Sequence, residues 1–230
     1  MEKWIYSFNK SIDEIENPSE LLGNKGAGLN LMTGLDLPVP QGFTILTKLN
    51  HYFQKNKSFP DEFENELIKN IFNLEKISNC KFGSSTNPLL LSVRSGSQKS
   101  MPGMLDTILN IGFNKKVLEF YEKQNKPLFA WDTWRRFLHM FSHVVYKIEH
   151  FYFDEILDSY LLGAGLQFEK DLGVNDIQEI CSQYLTLIED RIGKPFPEDV
   201  NEQLMLSIKA VMESWFNERA IDYRRINDVP

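Results

Sequence analysis

Leu89-Leu90-Leu91-Ser92-Val93-Arg94-Ser95-Gly96-Ser97 is the stretch on which the reading of this chain turns. Asn87-Pro88 ahead of it is a turn, and the apolar run from Leu89 to Val93 reads as a buried strand. Arg94 then falls at the carboxyl end of that strand, the edge where ligands gather in open α/β architectures. The small residues that follow let a ligand approach the backbone closely. An arginine offers a planar fork of donors matched to phosphate oxygens, and each such charge-assisted bond is worth roughly 1.5–3 kcal/mol net. Loss of Arg94 should therefore weaken phosphate binding by about one to two decades or more. The plainer reading is an arginine that ends a strand in an ordinary salt bridge, and pattern alone leaves the two open.

A second motif lies upstream. In Gly23-Asn24-Lys25-Gly26-Ala27-Gly28-Leu29-Asn30 three glycines flank a lysine just ahead of a helix. Helix N-termini attract anions, and the lysine adds a full charge. The spacing lacks the Gly-Lys-Ser/Thr of a Walker loop and is not the Rossmann fingerprint either. By itself the motif is weak, and a flexible turn with no ligand is the commoner meaning of such a pattern.

From these motifs the organisation follows outward. Trp4 to Phe8 alternates as a strand, Leu21 to Leu35 is a Gly-rich turn running into a short helix, and Gly34 is placed to end it. Leu37 to Ile45 is extended, punctuated by Pro38 and Pro40. Asp61 to Lys76 has helical spacing, with Phe63, Leu67, Ile71 and Leu74 on one side. From about 114 the chain turns helical: Trp134, Phe137, Leu138, Phe141, Val144, Val145 and Ile148 make an apolar stripe. Asp176 at an N-cap position opens another helix, Gly193 to Pro197 breaks the chain, and Asp199 opens an amphipathic helix through Trp215 that ends near Ala220. Three divisions result: 1–113, an α/β lobe; 114–198, a helical subdomain; and 199–230, the start of a further segment. The fold class expected is α+β.

Bulk properties bound the function. A chain of 230 residues, 42% hydrophobic and 25% charged, can bury a real core. A net charge of −7 argues against a surface built for nucleic acid, so any anion site is a local basic cluster on an acidic body. No apolar run approaches the length of a membrane helix, and the N-terminus lacks signal-peptide layout, so a cytoplasmic location is expected. Cys80 and Cys181, far apart and outside any metal-ligand spacing, read as reduced core residues.

Other candidates are weaker. Arg135 and Arg136 sit side by side on the aromatic helix, and since Trp134 and Phe137 face the core, at least one arginine faces elsewhere. His139 and His143 are spaced to share a helix face, but neither a zinc-protease glutamate nor a third ligand accompanies them. Arg219, Arg224 and Arg225 form a basic cluster that reads as surface. No nucleophile, triad or general base emerges from spacing.

Taken together, residues 23–30, 37–45, 87–96 and 100–110, with Arg135-Arg136-Phe137, Met140-Phe141-Ser142 and Tyr223 to Asp228, resemble the pyruvate phosphate dikinase family over nearly the whole chain. Ser100-Met101-Pro102-Gly103-Met104 is the specific part: the related phosphoenolpyruvate synthases share the Val-Arg-Ser core but are not expected to carry that segment.

The resemblance implies an ATP-grasp portion that binds ATP with Mg²⁺ and passes a pyrophosphoryl group to a histidine on a separate domain, from which pyruvate is phosphorylated on a third. By motif match it implies that Lys25 and Arg94 contact phosphate, Arg94 being catalytic, and that one of Arg135 and Arg136 is a third contact. It implies that the loop of Ser100, Met101 and Gly103 covers the phosphates, and that the full-length enzyme is a homodimer. None of His51, His139, His143 or His150 has the context of the phosphorylated histidine. The expectation is a piece of a longer protein, with the acidic Mg²⁺ ligands beyond residue 230, and inactive alone. The rival readings are the matching part of a phosphoenolpyruvate synthase, or a stand-alone nucleotide-sensing or interaction module.

Overall fold

The computed structural model describes residues 2–8, 17–97, 99 and 101–229. They form two compact units, neither contiguous in sequence: residues 1–80, 95–105 and 214–230 make the first, and 81–94 with 106–213 the second. Long helices and three two-stranded ribbons make up the secondary structure among these residues, the α+β class expected.

In the first unit, strand β1 (Ile5–Ser7) pairs antiparallel with β2 (Phe43–Ile45), Ile5 opposite Ile45. Helix α1 (Pro18–Gly34) starts with proline in its first turn and is interrupted at Gly23, where φ is 71° and ψ is 167°. The Gly-rich turn and the helix expected over residues 21–35 are thus one interrupted helix that begins earlier. Gly34 is its last residue, and the left-handed position beyond it belongs to Asp36. Helices α2 (Thr47–Asn56) and α3 (Phe63–Ser78) follow; Phe63, Leu67, Ile71 and Leu74 are all buried on one side of α3 as their spacing predicts. The Glu66 carboxylate accepts the N–H groups of Trp4 and Ile5 at 2.9 and 3.0 Å, fastening β1 to α3.

In the second unit, β3 (Lys81–Phe82) lies parallel to β4 (Pro88–Leu89). Strand β5 (Leu91–Arg94) pairs antiparallel with β6 (Thr107–Ile111) through a bulge between Leu91 and Val93. Here the expectation of a buried strand fails. Residues of β5 alternate half-buried and exposed, because among the described residues the strand has a partner on one edge only and belongs to a ribbon, not to a parallel sheet covered on both faces.

Helices α4 (Lys115–Lys123), α5 (Pro127–Tyr146), α6 (His150–Ala164), α7 (Val174–Ile192) and α8 (Val200–Glu213) complete this unit. The stripe on α5 buries Trp134, Phe137, Leu138, Phe141 and Val144. Against it sits Phe196, from the Pro195-Phe196-Pro197 connector, with ring centroids 5.5 Å from Trp134, 5.8 Å from Phe137 and 5.1 Å from Phe141. Asp176 is not the N-cap of α7. It stands one turn in, and its carboxylate reaches back 2.7 Å to the N–H of Gly173, which is the cap. Asp199 does open α8, accepting the N–H groups of Asn201 and Glu202 at 2.7 and 3.0 Å.

The single helix expected from 199 to 220 is broken. A 3₁₀ turn, Ser214–Phe216, and an extended Asn217 separate α8 from α9 (Glu218–Ile226), which belongs to the first unit.

Candidate functional site

The glycine-rich motif and the segment after β5 meet within the first unit. At Gly23 the backbone leaves helical geometry with positive φ, a conformation that costs glycine little. A Cβ there would overlap the carbonyl oxygen of Gly96. The next N–H, that of Asn24, donates to the Ser97 carbonyl at 2.9 Å. The exposed Lys25 ammonium then donates to the Ser95 carbonyl, also at 2.9 Å. One turn on, a Cβ at Gly26 would come within 2.9 Å of the Thr44 methyl, so this glycine lets α1 lie close against β2. The first N–H after the break is thereby bonded within the protein.

The rest of the expected loop follows residues 95–97 in sequence. Met101 is buried, and Gly103 adopts φ of 73° with open space around it. Ser100 lies outside the described residues. Two contacts from α9 and its end hold the loop: Arg219 Nε donates to the Met104 carbonyl at 3.1 Å, and Lys99 Nζ to the Asp228 carbonyl at 3.1 Å.

The remaining candidates lie in the second unit. Arg94 is exposed at the carboxyl end of β5, opposite Thr107. Arg135 and Arg136 part company although adjacent. Arg135 is buried and bridges Asp132 at 3.0 Å and Glu169 at 2.7 Å. Burial works against its charge, but the Asp132 hydrogen bond and the nearby Tyr184, Glu169 and Asp132 outweigh it and raise its pKa. Arg136 is exposed and reaches the other Asp132 oxygen through Nε at 2.9 Å. Asp132 was missed by sequence reasoning, although its spacing of three and four residues from the two arginines is a readable helical signal. Glu169, distant in sequence, gives no such signal.

His139 and His143 share a helix face as their spacing implies, and both meet His150. His139 Nε2 lies 2.8 Å from His150 Nδ1, the His143 and His150 rings stack at 3.6 Å, and His143 Nδ1 donates to the Ile148 carbonyl at 2.9 Å. Among the described residues, no group of three or more His, Cys, Asp or Glu side chains is placed to hold a metal ion. Both cysteines are unpaired with each other; Cys181 is buried, and burial pushes its thiol up to about 12, far from a nucleophile's range. Cys80 is only half-buried, less a core residue than expected. No helix among the described residues is long and apolar enough to cross a membrane.

Comparison with known proteins bears on this arrangement. The family model for the pyruvate phosphate dikinase AMP/ATP-binding domain matches residues 55–230. The chain is 41% identical over its whole length to a pyruvate, phosphate dikinase of Clostridium symbiosum, and 44% identical over its whole length to that of Rickettsia prowazekii (strain Madrid E). To the chloroplastic pyruvate, phosphate dikinase 1 of Oryza sativa subsp. japonica it is 39% identical over 99% of its length. It spans about a quarter of these relatives, 26%, 26% and 24% of their lengths respectively. With a family model covering residues 55–230 and matches of this strength along the entire sequence, the chain belongs to the pyruvate phosphate dikinase AMP/ATP-binding domain family.

Proposed function

We propose that this chain is the ATP-gripping part of a pyruvate phosphate dikinase. That enzyme interconverts ATP, phosphate and pyruvate with AMP, pyrophosphate and phosphoenolpyruvate, through a phosphohistidine carried on another domain of the same polypeptide. The observation that carries this reading is the family match over residues 55–230, together with a lysine whose ammonium is exposed and already oriented on a backbone carbonyl. In this reading the division into 1–113, 114–198 and 199–230 follows the build-up of the nucleotide-binding domain along the chain.

Lys25 and Arg94 contact the phosphates, supplying a point charge and a planar donor fork respectively. Arg94 stabilises the charge that shifts onto the transferring group, a role that needs no proton transfer. Of the arginine pair we assign the third contact to Arg136. It is exposed, whereas Arg135 is buried and committed to two carboxylates. Ser100, Met101 and Gly103 line the phosphates. The described residues do not by themselves fit a Mg²⁺ site, so no step is routed through the metal. Its ligands belong, in this proposal, beyond residue 230. A cytoplasmic, homodimeric enzyme completes the reading.

The test is AMP release from ATP, phosphate and pyruvate by the enzyme that carries this chain. Lys25→Ala and Arg94→Ala should each lower kcat/KM by at least about ten- to a hundred-fold, as expected for loss of charged hydrogen bonds. Wild-type turnover by Arg94→Ala would overturn the assignment.

A further inference from the structure

Gly23 has a role that its place in a glycine-rich motif does not by itself announce. Three contacts converge on it within the first unit. Its own backbone presses against Gly96, so closely that a Cβ would overlap that carbonyl oxygen. The Asn24 N–H is bonded to the Ser97 carbonyl at 2.9 Å, and Lys25 Nζ to the Ser95 carbonyl at 2.9 Å. The helix restarts only after this contact, because Gly23 alone departs from helical angles inside α1. Residues 23–24 and 96–97 are thus laid backbone to backbone, and the Lys25 side chain leaves from that seam to reach the Ser95 carbonyl.

We propose that Gly23 is a positioning residue for Lys25: the missing side chain lets residues 23–24 dock on residues 96–97, and that docking sets the direction in which the Lys25 ammonium meets a nucleotide's phosphates. A lysine has four rotatable side-chain bonds, and holding it costs rotamer entropy that a preset geometry avoids at the moment of binding. The Ser95 carbonyl supplies that geometry only while the seam is closed. Gly28 serves as a contrast, since it sits on the same helix with open space where a Cβ would go. The motif therefore contains two glycines required by close approach, Gly23 and Gly26, and one, Gly28, that is not. The inference rests on Lys25 contacting phosphate, as proposed above.

The experiment titrates ATP calorimetrically into the full-length protein carrying Gly23→Ala, Asn24→Pro, Gly28→Ala or Lys25→Ala, and into the doubles with Lys25→Ala. Asn24→Pro removes the N–H donor and sets a ring carbon where the proton met the Ser97 carbonyl, so it opens the seam without adding bulk at Gly23. Thermal melting verifies folding. Gly23→Ala and Asn24→Pro should each weaken ATP at least ten-fold, Gly28→Ala less than two-fold, and neither of the first two should add to the loss in a Lys25→Ala background. That non-additivity is the signature of action through Lys25, which general damage would not produce.

Wild-type affinity in folded Gly23→Ala or Asn24→Pro, or a full additional loss on top of Lys25→Ala, overturns the proposal while leaving Lys25 as a phosphate contact. Should Gly23→Ala not fold, Asn24→Pro decides alone. Unchanged affinity in Lys25→Ala sinks both readings.

Discussion

At the scale of single residues, the polar groups that matter most to the second unit are interior. Gln203 is fully buried, and its amide answers three backbone groups. Oε1 accepts the Gly112 N–H at 3.0 Å, while Nε2 donates to the Phe113 carbonyl at 3.0 Å and to the Pro197 carbonyl at 2.8 Å. One side chain therefore ties the end of β6 to the connector ahead of α8. Gln203→Leu keeps the volume but strands all three partners away from water, where each costs about 1–3 kcal/mol. Partial relaxation brings the expected loss to about 2–4 kcal/mol, read as a lower urea midpoint at unchanged slope. A loss below half a kilocalorie would mean that water reaches those groups. Nothing in the sequence marks Gln203, because a glutamine beside Leu204 in an amphipathic helix has the same signature whether it faces the interior or solvent. Lys25 and Arg94 stand out in the sequence as candidates for the opposite reason: charge placed among small residues is a local pattern, whereas a buried amide is defined by partners about ninety positions away.

Between helices, three imidazoles, those of His139, His143 and His150, meet where α5 contacts α6. His139 stacks on Phe153 at 4.5 Å, and its pKa is pushed down to about 4 by burial first, then by neighbouring His150, with His143 and Arg135 adding to the shift and Asp154 opposing it. His150 is lowered likewise, by burial and then by His143, against Asp154 and Glu149. A histidine kept neutral in the fold binds fewer protons than its unfolded counterpart between its folded value of about 4 and the ordinary 6.5. Its contribution is complete above 6.5 and is lost as pH falls toward 4. Urea midpoints measured across that window should drop more steeply for the wild type than for His139→Gln; identical slopes would remove His139 from the account. The helices themselves were largely readable, α3 and α5 because a buried face repeats at helical spacing and bulky apolar residues occupy it. The break at Asn217 was not, because Trp215 continues the apolar rhythm of α8 and no proline or glycine marks the stop. The apolar run at Leu89 to Val93 misled for a related reason. Hydrophobicity reports that a segment prefers burial, but the number of strands available to cover it depends on distant sequence.

Over the whole molecule, the chain divides its units by passing between them repeatedly, at residues 80–81, 94–95, 105–106 and 213–214. The first unit is therefore assembled from three separate stretches. A fragment of residues 1–80 lacks the Ser95 and Ser97 carbonyls that receive Lys25 and Asn24, and it lacks α9. A fragment of residues 81–213 contains every part of the second unit, joined through 95–105. The longer fragment should melt cooperatively with strong helical dichroism, and the shorter one should show no sharp transition; cooperative melting of 1–80 would contradict the division. The Phe196 connector has a corresponding effect inside the second unit. Proline on either side restricts the backbone before folding begins, so seating the aromatic ring in the α5 cluster requires little further ordering. The link between α7 and α8 consequently acts as a peg and not as a hinge, and a residue inserted there would pull the ring from its socket, whereas an insertion into a loop with no such anchor would be absorbed.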